Sequence, residues 1–196
     1  MAKTPKASAA AAGIPSAGGN EEMQRGELRP SRLRELMAAE HVRLDALLAR
    51  AATAHGDAEI EAYHNFRKGL LRHIGVEEKI LFPAAQNRRG GVPLPLAGKL
   101  KLDHGALAAL VMLPPCGSTF RALRAVLVAH NPLEDAPGGV YEQCESLVRA
   151  ELDELVARCE RAAEVPVSPW ADSPKVLAAA KRVLTRAGYD PSVLDQ

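Results

Sequence analysis

The chain has 196 residues, 47% of them hydrophobic and 25% charged, with a formal net charge of +1. That is the length of one domain with enough apolar residues for a core, and the near-neutral balance excludes a global field that would draw in nucleic acid or a membrane surface. Cys116, Cys144 and Cys159 are an odd number without Cys-x-x-Cys spacing, which argues against a disulfide framework and for a reducing compartment.

Residues 1–29 are rich in Ala, Gly, Ser, Pro and charge and are expected to form a disordered arm. They lack a leucine-rich h-region, so no signal peptide is read there. Nowhere does an apolar run approach the roughly 20 residues that span a bilayer. The cytoplasm is the expected location.

A helix is expected to start at Pro30-Ser31, because Leu33, Met37, His41, Leu44 and Leu48 recur at helical spacing. It ends near His55-Gly56. A second run carries Ile60, Tyr63, Phe66, Leu70, His73, Glu77 and Leu81, with Pro83 close to its end. Residues 87–95 hold two Gly and two Pro and read as a loop. The third run carries Leu100, His104, Leu107 and Val111 and stops at Pro114-Pro115. The fourth carries Phe120, Leu123, Leu127, His130 and Glu134 and is broken by Pro137-Gly138-Gly139. Val140 to Ala163 reads as one more helix, with Leu147, Leu152 and Leu155 as core candidates. After a linker with Pro166, Pro169 and Pro174, a short helix over Val176 to Arg186 ends at Gly188, a good residue just past a helix. The expectation is an all-α fold: a four-helix bundle over 30–163, with a linker and short C-terminal helix over 164–196.

Each of the four main runs puts a histidine on its apolar face: His41, His73, His104 and His130. Two of these stand four residues before a glutamate, as His73-x-x-x-Glu77 and His130-x-x-x-Glu134. Positions four apart lie about 40° from each other around a helix, one turn on. Each pair can therefore aim an imidazole and a carboxylate at one point. A lone core histidine is usually a hydrogen-bonded structural residue, and a lone His-x-x-x-Glu is usually a surface pair. The joint pattern is different: buried carboxylates are costly unless paired or bound to a cation. Six N/O ligands are too many for one structural zinc, and calcium or magnesium prefers all-oxygen sites. A mixed imidazole and carboxylate set suits iron or manganese. If Glu77 and Glu134 both bridge and the histidines divide equally, each of two ions has four protein ligands, with room for an oxo or hydroxo bridge and a small molecule.

The segments His41, His73-Ile-Gly-Val-Glu77-Glu-Lys-Ile-Leu-Phe-Pro83, Asp103-His104 and His130-Asn-Pro-Leu-Glu134-Asp resemble the hemerythrin-like HHE cation-binding domain, over about Arg34 to Glu145. The resemblance implies an up-down four-helix bundle around two non-haem irons, bridged by oxo or hydroxo, with His41, His73, Glu77, His104, His130 and Glu134 as metal ligands. Oxygen-carrier hemerythrins have a fifth histidine, where this chain has Ala108, and a fourth-helix aspartate five residues after the histidine, where Asp135 stands here. The carboxylate of the fourth helix is therefore Glu134 or Asp135. The ligand set is more like members that sense or handle O2, NO or iron than like the O2 transporters, so a small diatomic ligand is the expected partner, with no nucleic acid or membrane. A di-iron peroxidase or oxygen-reducing enzyme, and a structural helical module without metal, are the alternatives.

Glu40, Glu78 and Asp103 adjoin ligand positions and can hold an imidazole by its other nitrogen, although a solvated surface role is the commoner one for such residues. Tyr63 and Tyr141 can line the site, with core packing favoured for Tyr63; Tyr141 is a candidate proton donor. His55 and His64 read as surface residues, and Trp170 as an anchor for the C-terminal segment.

Overall fold

In the computed structural model, which describes residues 1–2 and 32–195, every regular element is helical. The expected disordered arm, and the helix start at Pro30-Ser31, fall almost wholly outside the described residues. Helix α1 (Arg32–Thr53) is followed by α2 (Asp57–Val76), which passes through a π-helical turn (Glu77–Leu81) straight into α3 (Phe82–Arg88). Helices α4 (Ala97–Leu110) and α5 (Gly117–Asp135) complete a four-helix bundle. None of the described helices is long and apolar enough to cross a membrane.

The apolar core falls into two clusters. On α1, Leu33 and Met37 belong to one cluster and Leu44 and Leu48 to the other. The order reverses along the next rod, where Phe66 and Leu70 precede Val76 and Leu81. It reverses again on α4 (Leu100, then Leu107) and again on α5 (Leu123 and Leu127, then Leu133). That alternation is the up-down order of the bundle. On every one of the four helices a histidine stands where the chain crosses from one cluster to the other. The bundle is thus two greasy ends, each buried leucine contributing about 2 kcal/mol, with a polar layer between them.

Local chemistry explains several departures from the expected elements. Pro83 does not end the second helix; helical structure runs on to Arg88. Pro83 stands in the first turn of α3, directly after the widened π turn, where its missing N–H is tolerated. Ile60 was expected on the buried face but is 44% exposed, since it lies in the first turn of α2, beside the connection from α1. The single helix expected over 140–163 is two, α6 (Val140–Val148) and α7 (Leu152–Glu160), separated by a 3-10 turn at Arg149–Glu151. The turn lets α6 lie along α3 and α5 while α7 packs on α1 and the π turn. Of the three leucines expected to be buried there, Leu155 is, while Leu147 and Leu152 are half-buried at its edge.

The C-terminal segment is tied to the bundle. Helix α8 (Pro174–Ala187) starts with the Ser173 hydroxyl accepting from the Val176 N–H and ends at Gly188 with φ 90°, as capping chemistry predicts. It packs on α4 and adds Ala180, Leu184 and Ala187 to the nearer cluster. The linker before it is held by Arg67, whose buried guanidinium donates to Val111 O (2.6 Å) and Ser168 O (2.7 Å). Trp170 lies against Tyr63 and Arg67, which is the anchoring role expected for it.

Candidate metal centre

The polar layer is built from the six residues singled out in the sequence. His41, His73, Glu77, His104, His130 and Glu134 are all buried, the two glutamates almost completely. Their side chains converge. His41 Nε2 lies 3.0 Å from His73 Nε2 and 3.4 Å from Glu134 Oε2. On the other side of the same carboxylate, Glu134 Oε1 lies 3.2 Å from His130 Nε2 and 3.7 Å from His104 Nε2. Glu77 is divided in the same way, with Oε1 3.5 Å from His73 Nε2 and Oε2 3.2 Å from His104 Nε2. Two groups of three thus form, His41 with His73 and Glu134, and His104 with His130 and Glu134, each with donor atoms within 4.8 Å of one another.

The local fold explains how the carboxylates reach the centre. Glu77 opens the π turn, a device that recurs at functional sites because it widens the helix and re-aims side chains. The same turn carries Glu78 outward to His104 Nδ1, 3.0 Å away. On α5, Pro132 lies inside the helix, and the last turn survives because Ala136 N–H still donates to Pro132 O. Glu134 therefore faces inward, while Asp135 accepts from His41 Nδ1 at 2.7 Å. Both acidic residues of that turn serve the site, Glu134 at its centre and Asp135 from behind a ring.

Two of the four rings are hydrogen-bonded from behind by carboxylates, His41 by Asp135 and His104 by Glu78. Asp103 Oδ2 stands 3.5 Å from His130 Nδ1 without a hydrogen bond between them, and Lys99 pairs with the other Asp103 oxygen. The bonds on His41 and His104 set the tautomer, keeping the proton on Nδ1 and the Nε2 lone pair toward the centre. Glu40 does not share this role: it pairs with Arg43 on the surface of α1. Sequence reasoning missed Asp135 as the partner of His41. The signal was its position one residue after Glu134, about 100° round the helix. His55 and His64 are exposed.

Tyr141 also sits in this layer. Its hydroxyl donates to Glu77 Oε1 at 2.5 Å and lies 3.2 Å from Glu134 Oε2. The sequence left Tyr141 as a possible lining residue, seven positions past Glu134. The turn between them is what brings it back: Gly138 has φ 77°, and a Cβ on Gly139 would stand 2.5 Å from Glu134 O. Tyr63, by contrast, packs in the core and donates to Leu113 O.

The electrostatics fit a cation. Burial works to lower the pKa of His41, but the bonds to Asp135 and Glu134 outweigh it and raise it to about 10. Burial is likewise overcome at His104, where Glu134 and Glu77 raise the pKa to about 10. Burial would raise Glu134, yet His104, His130 and His41 hold its carboxyl well below the usual carboxylate range. At His73 burial prevails and the pKa falls. The layer therefore stabilises positive charge between its carboxylates, supplied by protons or by metal. Glu77 Oε2, Glu134 Oε1 and His104 Nε2 are buried without a hydrogen-bond partner, and all three face the centre. Imidazole and carboxylate donors, acceptor-side inward and with His41 and His104 held from behind, suit a first-row transition metal.

No curated protein matches the chain, and no solved structure matches it. The family pattern of the hemerythrin HHE cation-binding domain matches residues 32–137, a span that contains all six converging residues and more than half of the chain. With the bundle and the buried His/Glu layer, this places the chain in the hemerythrin HHE cation-binding domain family.

Proposed function

We propose that the chain is a di-iron protein of the cytoplasm that senses or handles O2, NO or iron. The observation that carries the reading is the division of the two glutamates: each turns one oxygen to the His41/His73 group and the other to the His104/His130 group. A carboxylate shared in this way suits two ions side by side, and a single ion would leave half of the donors unused. His41, His73, His104 and His130 would hold the irons terminally, and Glu77 and Glu134 would bridge them. Bound irons supply redox activity and a place for a small diatomic molecule. The protein's part is to fix the His41 and His104 rings by Asp135 and Glu78 and to shield the centre with two apolar clusters.

The absence of a histidine at Ala108 leaves the His104/His130 group one imidazole poorer than in an oxygen carrier, which favours sensing or handling over transport. The test is metal analysis of the purified chain after expression with iron, with absorption spectra of the oxidised and reduced forms. About two irons per chain and a near-ultraviolet band that changes on reduction are expected. A folded chain without stoichiometric metal would refute the proposal.

A further inference from the structure

The six residues above leave Tyr141 without an assignment, although its oxygen is as central as theirs. That oxygen lies 2.5 Å from Glu77 Oε1, 3.2 Å from Glu134 Oε2, and 3.4 Å from both His41 Nε2 and His73 Nε2. Three of the separations among those four atoms lie in the same range: 3.0 Å between the two nitrogens, 3.4 Å from His41 to Glu134 and 3.5 Å from His73 to Glu77. First-row metals bind nitrogen and oxygen donors at about 2.0–2.2 Å, so donors at right angles around one ion lie about 3 Å apart. The His41, His73 and Glu134 atoms, all within 4.8 Å of one another, fit a single coordination shell, and the phenol oxygen stands 3.4, 3.4 and 3.2 Å from them. A tyrosine that only supported a bridging carboxylate from outside would touch that carboxylate and stand clear of the imidazole nitrogens. Tyr141 instead reaches donors carried by α1, by the α2 rod and by α5, and its ring lies beside that of His41.

We propose that Tyr141 is itself a metal ligand, its phenolate oxygen completing the group formed by His41, His73, Glu77 and Glu134. The assignment rests on the two-ion reading and deepens it. The His104/His130 group has no counterpart among the described residues; there the ring of Phe82 stacks on His104. The two ions are therefore inequivalent, one with five protein donors and one with four, and the small ligand binds at the four-donor ion beside His104 and His130. On loading, the phenol O–H bond breaks as the oxygen–metal bond forms. The proton, held against Glu77 Oε1 in the metal-free chain, leaves to solvent, and no electron moves.

The test loads the full chain with ferric iron alone and reads iron content, visible absorption and resonance Raman scattering. A visible phenolate-to-iron charge-transfer band is expected, with tyrosinate ring vibrations enhanced in it. It should persist in Tyr63→Phe and in Tyr189→Phe, and vanish in Tyr141→Phe while iron content holds. Because the chain has three tyrosines, the first two variants assign the band by elimination even if the third fails to fold. An iron-loaded wild-type chain without the band overturns the assignment and leaves the two-ion reading standing, as does a band that survives Tyr141→Phe. A chain that takes up no iron overturns both.

Discussion

Replacing Glu134 by Gln keeps the volume of the side chain and removes the charge that both groups share. Glu134 contacts His41 at 3.4 Å through one oxygen and His130 at 3.2 Å through the other, so the substitution strikes both ends of the site at once. Loss of a residue that merely orients a metal-binding ring lowers affinity 10–100-fold. Glu134→Gln withdraws a charged donor itself, so a loss on the order of 100-fold or more is expected. That is about 2.7 kcal/mol, and at fixed iron the metal-dependent stabilisation falls by a similar amount. For a chain of this length it corresponds to a Tm difference of about 5–10 °C. The carboxyl of Glu134 is held well below the usual range, with the histidine bonds overcoming burial. It therefore contributes stability above the ordinary carboxylate pKa even without metal, and the metal-free variant melts lower too. The decisive quantity is the Tm shift on adding iron, compared between wild type and variant, together with iron content after dialysis. A Glu134→Gln chain that keeps two irons and the full wild-type shift would show that Glu134 is not shared between ions.

Asp135→Ala should leave the fold intact but weaken metal retention 10–100-fold by freeing the His41 ring, read by competition against a graded chelator; unchanged retention would remove Asp135 from the site. Gly139→Ala should destabilise the chain by ~2 kcal/mol, because the new Cβ would meet Glu134 O and Ala136 O at 2.5 and 2.7 Å. A denaturation midpoint equal to wild type would mean that the turn relaxes freely. In native alkylation followed by mass spectrometry, Cys116 should react and the other two thiols should not. Cys116 is exposed, and although burial opposes it, hydrogen bonds to Ser118 and Thr119 lower its pKa. Burial pushes Cys144 up to about 12 and Cys159 to about 11, which keeps them as unreactive thiols; comparable labelling of all three would contradict the buried placement of α6 and α7.

The four bundle helices and the six converging residues were legible in the sequence because helical periodicity is local. Leu33, Met37, His41, Leu44 and Leu48 declare one face with no knowledge of the partner helices. A His-x-x-x-Glu pair likewise fixes its own geometry within a single turn. The candidate metal centre could be read because its six residues occupy the same faces that carry the core. The sequence was less informative where backbone form depends on neighbours. Pro83 looked like a helix end, and only the π turn beside it lets the rod continue. The break at Arg149–Glu151 carries no Pro or Gly and follows from how α6 and α7 divide the surfaces of α1, α3 and α5.

What the sequence by itself determined, then, is one imidazole per bundle helix and one carboxylate a turn beyond two of them. Spacing along a helix is a property of the chain alone. What only the tertiary structure decided is how those groups meet across helices: Glu134 inward with Asp135 behind His41, Glu78 and Asp103 behind their rings, and Tyr141 folded back onto the centre. Each of these depends on the relative rotation and height of separate helices, set by close packing of the two clusters and by the tight turn at Gly138-Gly139. No pattern within a single helix contains that information.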